Sequence, residues 1–136
     1  MDGTSRRSLL ANRLRPARAL IGQAAQNAAE DFLIAQGMQI LRRNWRCRRG
    51  ELDLICREVS TLVFVEVKGR LDSPEAERLL FEAVTHVKQR RLRLLAEIYI
   101  ACHHRRRPPP VRIDIVGVVL AGEGEVVTVK HLRGAC

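Results

Sequence analysis

Aromatic side chains are scarce in this chain, with three Phe, one Trp and one Tyr among 136 residues. So few rings leave no material for the row of stacked aromatics with which single-strand-binding domains hold bases. Cysteine is sparse too: Cys47, Cys56, Cys102 and Cys136 lie far apart and form no C-x-x-C pair. Cys102 beside His103 and His104 comes nearest to a metal cluster, but further ligands at zinc spacing are missing. Reduced, unpaired thiols are therefore expected, as in a cytoplasmic protein. No stretch approaches the ~20 apolar residues of a membrane-spanning helix, so no membrane partner is expected. No internal repeat is visible.

Acidic residues are also in the minority. Against 15 Asp and Glu stand 24 Lys and Arg, a formal charge of +9. That excess favours polyanionic partners, chiefly nucleic acid, with an acidic protein surface as the other class. The length suits one domain with a single core. Residues 1–18 carry five arginines and one acid and read as a basic, mobile arm able to add phosphate contacts. Residues 19–136 read as the folded domain.

From Ala19 to Gln36, apolar positions recur at helical spacing, and Gly37 supplies a C-terminal stop. Strands follow over Met38–Trp45, Glu51–Arg57 and Leu62–Lys68, the last two joined by a tight turn at Val59 and Ser60. Glu77–Val84 fits either a short helix or an extended segment. Thr85 is placed to cap a helix from His86 to about Ala101, and Pro108, Pro109 and Pro110 prevent its continuation. Two strands close the chain, Val111–Leu120 and Glu125–Leu132. The order α-β-β-β-α-β-β predicts an α/β domain with a mixed central sheet flanked by helices.

The chemistry concentrates in "GELDLICREVSTLVFVEVKGR", Gly50 to Arg70. Pairing Leu54 with Val65 and Cys56 with Val63 makes one face of this hairpin apolar, and the same register sets Leu52 against Val67 and Asp53 against Glu66. Two like charges opposite each other destabilise a sheet and raise one of the two pKa values. Lys68, which this register sets across from Glu51, offsets part of that cost. A divalent cation held by Asp53, Glu66 and the Val67 backbone carbonyl offsets it better, because oxygen donors suit Mg²⁺ or Mn²⁺. Asp53, Glu66 and Lys68 are thus the candidate catalytic residues of a phosphodiesterase, with Lys68 orienting the nucleophile or neutralising developing charge. A solvated strand face with surface ion pairs is the plainer alternative.

"GELDLI" (50–55), "VFVEVKGR" (63–70), "RIDIV" (112–116) and "ILRRNWR" (40–46), with Val84, Lys88, Arg91, Leu92, Ala96 and Tyr99, resemble the YraN family of small bacterial proteins. The likeness spans about residues 22–132. It implies a restriction-endonuclease-like fold similar to archaeal Holliday-junction resolvases. It also implies that Asp53, Glu66 and Lys68 hold the positions of the acid and acid-x-lysine core, and that the chain acts on DNA, branched DNA included. Since junction-cleaving relatives act as dimers, it implies a homodimer as well. This chain departs from the family pattern by Ala25 and Gln26 in place of a Gly-Glu pair, and by Gly69 in place of Thr. The missing glutamate helps to hold the metal in resolvase-like relatives, and Glu30, one turn on along the same helical face, is the candidate substitute. A nucleic-acid-binding module without turnover is therefore the alternative to an endonuclease.

Arg43, Arg70, Lys88 and Arg91 are the candidate phosphate contacts, against the alternative of solvated basic faces. Asp114, two residues from Arg112 in a β-branched strand, reads as half of a structural ion pair, and Trp45 as a packing residue.

Overall fold

The computed structural model describes residues 3–82, 84–104 and 106–136, with side chains from Arg18 onward. The elements are α1 (Gly3–Ala35), β1 (Gln39–Cys47), β2 (Gly50–Glu58), β3 (Thr61–Leu71), α2 (Ala76–Glu82), α3 (His86–His103), β4 (Val111–Leu120) and β5 (Val126–Leu132). Helical backbone thus reaches well ahead of Ala19. The side chains of the arm expected over residues 1–18 fall, apart from Arg18, outside the described residues.

Local chemistry accounts for the ends of the helices. At the end of α1, Gly37 adopts a φ of 92°, and the Met38 and Gly37 amides donate to the Leu33 and Ile34 carbonyls at 3.0 and 2.9 Å. These two bonds make a Schellman stop, which favours glycine because a left-handed residue with a Cβ is strained. Thr85 caps α3, its hydroxyl accepting from the Lys88 amide at 3.2 Å. The segment open to either assignment is helical as α2, because Ala76 and Leu80, one turn apart, are buried together against Val119.

The five strands lie in sequence order, β1-β2-β3-β4-β5. All neighbours are antiparallel except β3 and β4, which run parallel and are joined over the sheet by α2 and α3. Each face of the sheet has its own core. On one, Ala25, Ala29 and Leu33 of α1 meet Leu54, Cys56, Val63, Val65 and Val116. On the other, Leu92, Leu95 and Tyr99 of α3 meet Leu52, Ile55 and Phe64. Trp45 packs edge-on against Tyr99, with ring centres 5.4 Å apart. A mixed α/β sheet with helices on both sides is thus present, with three helices where two were certain from the pattern.

One feature of the register departs from simple alternation. Leu54 and Cys56 face α1 as expected, yet Leu52, which should follow them, turns to the α3 side. In β1, next to Trp45, the partner of Leu52, Asn44 has a φ of 52°, a conformation asparagine tolerates. The two strands therefore swing together at Asn44 and Asp53, drawing Leu52 and Trp45 into the α3 core. The β2–β3 ladder stops at Leu54 and Val65, so the expected pairings of Leu52 with Val67 and of Asp53 with Glu66 are not made.

Candidate functional site

The break in the ladder creates the site. Val67 lacks a β2 partner, though it stays paired with Val116 of β4, and its amide donates instead to Asp53 Oδ2 at 2.8 Å. In an extended strand a residue's N–H and C=O point to the same edge, so the Val67 carbonyl faces the same gap. The Asp53 carbonyl, also released, accepts from the Gln26 side-chain amide at 3.4 Å. Gln26 is buried, at 8% exposure, a placement it can occupy because this bond satisfies its amide.

Glu66 and Lys68 project from β3 on the α3 side, and Lys68 Nζ lies 3.2 Å from Glu66 Oε1. Burial pushes the Asp53 carboxyl up to about 6, and the charge of Glu66 adds to the rise; the Val67 amide and Lys68 oppose it. Lys88 comes down from the first turn of α3 beside Lys68, and this second ammonium, with burial, lowers the Lys88 pKa. Asp53, Glu66, Lys68 and Lys88 thus share one half-buried corner where β2 parts from β3.

Other expected residues are placed elsewhere. Glu30 is ion-paired at 2.6 Å with Arg43 on the α1 side. It is therefore not positioned with Asp53, and Arg43 already has a carboxylate partner. The expected register sets Lys68 opposite Glu51, but Glu51 pairs with Arg46 of β1 at 3.1 Å, because the β2–β3 ladder does not extend past Leu54. Among the described residues, no three His, Cys, Asp or Glu side chains come together as a metal-binding group. Arg91 approaches the β1–β2 turn, its Cδ lying 3.9 Å from the position a Cβ on Gly50 would take. Arg70 lines an open cleft with Arg18 beyond the end of the site strand.

Asp114, by contrast, is fully buried and bound on every side. Arg112 donates to both its oxygens at 2.8 and 3.0 Å, the Gly134 amide donates at 2.9 Å, and the His131 imidazole lies 2.7 Å away. Burial alone would raise this carboxyl, but these partners outweigh it and hold the pKa below its ordinary value. The structural ion pair expected with Arg112 is present.

Comparison with known proteins adds the lineage. Residues 25–118 match the model of the uncharacterised protein family UPF0102. The chain belongs to UPF0102, the YraN family. A UPF0102 protein of Streptomyces griseus is 45% identical over 118 residues, covering 87% of this chain and 97% of its own length. One from Mycobacterium bovis is 41% identical over 121 residues, covering 86% and 92%, and one from Caldicellulosiruptor bescii is 38% identical over 115 residues, covering 85% and 95%. The UPF0102 names state no activity, so any reading of function rests on the site itself.

Proposed function

We propose that this chain is a metal-dependent DNA endonuclease of restriction-endonuclease-like fold, acting on branched or linear DNA through Asp53, Glu66 and Lys68. One observation carries the reading. At a break in the β2–β3 ladder, the Asp53 carboxyl is pushed up to about 6 by burial and by Glu66, with Lys68 as the near cation. An acid pair this costly to keep charged is expected where charge is used, and structural pairs such as Asp114 are instead neutralised by their neighbours.

The donor set suits a hard cation. Two carboxylates and the Val67 carbonyl are oxygen ligands, and Mg²⁺ and Mn²⁺ fill their remaining positions with water. Such an ion supplies Lewis-acid polarisation of the phosphodiester and a water of lowered pKa. The Val67 amide fixes the orientation of the Asp53 carboxylate. Lys68 keeps an ammonium beside Glu66, where it can orient the attacking water or meet the charge that builds on the phosphate. Lys88 adds a second cation at the same corner, suited to a phosphate oxygen.

A second reading has its own observation. The α1 position nearest the site holds the neutral Gln26, which is a poorer ligand for a hard cation than a carboxylate. On this reading the fold grips nucleic acid without turnover. Cleavage of labelled branched and linear DNA in Mg²⁺ or Mn²⁺ separates the two. The endonuclease reading expects metal-dependent products, reduced on the order of 100-fold or more in Glu66→Ala. DNA binding without cleavage of any substrate selects the second reading.

A further inference from the structure

A second basic site lies on the same face of the sheet. Along β2, side chains at alternate positions share a face, and Ile55, between Asp53 and Arg57, faces α3. Arg57 therefore stands on the α3 side, four residues and about 13 Å from Asp53. There it lines a cleft of about 530 Å³ with Leu41, Ser60, His104 and Arg107. No carboxylate lines this cleft among the described residues, and the Arg57 hydrogen bond goes to the neutral Gln39. The last turn of α3 contributes partial negative charge, which Arg57 and Arg107 outweigh.

Between this cleft and the carboxylate site runs the seam of α3 and β1. Helix α3 begins with Lys88 and Arg91 near the site and ends at His103. On the seam, the Arg42 guanidinium lies 5.8 Å from the centre of the Tyr99 ring. The exposed His103 ring stacks on Tyr99 at 4.2 Å and 17°, and its Nδ1 is 3.0 Å from the Tyr99 carbonyl. One face of His103 is thus taken by Tyr99, while the residue itself is exposed. A duplex hides its base faces, whereas an unpaired strand offers both phosphates and stackable bases.

We infer that an unpaired nucleic-acid strand, extending from the carboxylate site, follows the α3–β1 seam, stacks a base on His103 and seats a phosphate in the Arg57–His104–Arg107 cleft. The inference rests on the nucleic-acid reading above and specifies its substrate as one with a single-stranded arm.

Binding of a fluorescein-labelled duplex with a tail of about ten unpaired nucleotides, compared with the same duplex blunt, tests it. EDTA is present throughout, so catalysis plays no part. The double variant Arg57→Gln/Arg107→Gln keeps both stems and removes both charges. It is expected to bind the tailed duplex about tenfold more weakly, with a salt slope shallower by about 0.7, the contribution of one single-strand phosphate contact. His103→Ala is expected to lose about fivefold on the tailed duplex. Neither variant should change binding of the blunt duplex. Equal losses on tailed and blunt DNA overturn the inference in favour of a general basic surface. So does unchanged tailed-duplex binding combined with lost binding of labelled poly-glutamate, which would assign the cleft to an acidic protein. If the native chain binds no nucleic acid at low salt, the nucleic-acid reading fails and this inference with it. Native-level binding of the tailed duplex that neither variant weakens overturns the inference alone.

Discussion

Asp114 in β4 and Asp53 in β2 both lie in the central sheet, and their surroundings push them in opposite directions. Asp114 is fully buried, yet Arg112, His131 and the Gly134 amide hold its pKa down. Asp53 is only half-buried, yet burial and Glu66 push it up to about 6. Depth alone therefore does not set the cost of a carboxylate; the partners around it do. The satisfied aspartate ties β4 to the C-terminal strand and to Glu58 through Arg112. The unsatisfied one sits where the ladder opens, with a charge that the protein alone does not neutralise.

The largest expected effect comes from breaking the satisfied side. Asp114→Ala removes the shared partner of Arg112, His131 and the Gly134 amide. It is expected to cost about 3–5 kcal/mol, because Arg112 loses one of its two carboxylate partners and the part-buried His131 and the Gly134 amide lose their acceptor. A thermal melt checks this, with a fall in Tm of about 10–20 °C expected.

The unsatisfied side should respond in the opposite sense. A carboxyl whose pKa is raised by folding favours the native state at pH values below about 3.8. That contribution is lost as the pH rises through about 6, because there the folded form holds a proton that the unfolded chain has released. The loss amounts to at most about 3 kcal/mol. Asp53→Asn can still accept from the Val67 amide, so it is expected to raise metal-free stability at pH 7 by about 1–3 kcal/mol. It should also flatten the pH dependence between 4 and 6 in denaturant titrations. Asp114 should show the reverse sign, its contribution present above the ordinary carboxylate range and lost as the pH falls through it.

Ala25 and Gly69, at which the resemblance implies Gly and Thr, are neighbours. A Cβ built on Gly69 falls 2.6 Å from the Cβ of Ala25, a distance that real side chains do not tolerate. The space that a helix glycine would leave for a strand side chain is here divided the other way. Gly69→Ala is expected to cost about 1–3 kcal/mol by overpacking. Most of the loss should be absent when Ala25→Gly is added, which a double-mutant cycle of urea midpoints would show as coupling.

The smallest expected change sharpens the site itself. Gln26→Glu adds a third acid next to the Asp53 backbone, and about tenfold tighter Mn²⁺ binding is expected by calorimetry, or about 1.4 kcal/mol. Unchanged affinity would mean that this helix position does not reach the cation.

Much of this was legible in the sequence because the signals were local. Gly37, Thr85 and the bounds Val111–Leu120 follow from cap chemistry and β-branched runs, and all three are present. The apolar face formed by Leu54, Cys56, Val63 and Val65 also gave the correct hairpin register. What was not legible depends on contacts distant in the chain. Leu52 leaves the expected face because Trp45 and Tyr99 form a second core beneath α3, and the ladder break at Asp53 follows from that. Glu30 could be matched to Asp53 by helical spacing, but only the position of β1 shows that Arg43 engages it. The Tyr99–His103 stack did have a sequence signal, a four-residue helical spacing, but nothing local showed that Arg42 would lie beside it.

The account stands or falls on whether the Asp53–Glu66 corner binds a cation. Calorimetric titration of the native chain with Mn²⁺ near pH 6, repeated in buffers of different ionisation enthalpy, tests this most directly. The account predicts binding accompanied by proton release, because the cation displaces the proton held by Asp53 at a pKa of about 6. It also predicts that both the binding and the proton release are absent in Asp53→Asn. Absence of Mn²⁺ binding by the native chain, or binding that is the same in Asp53→Asn, would contradict it.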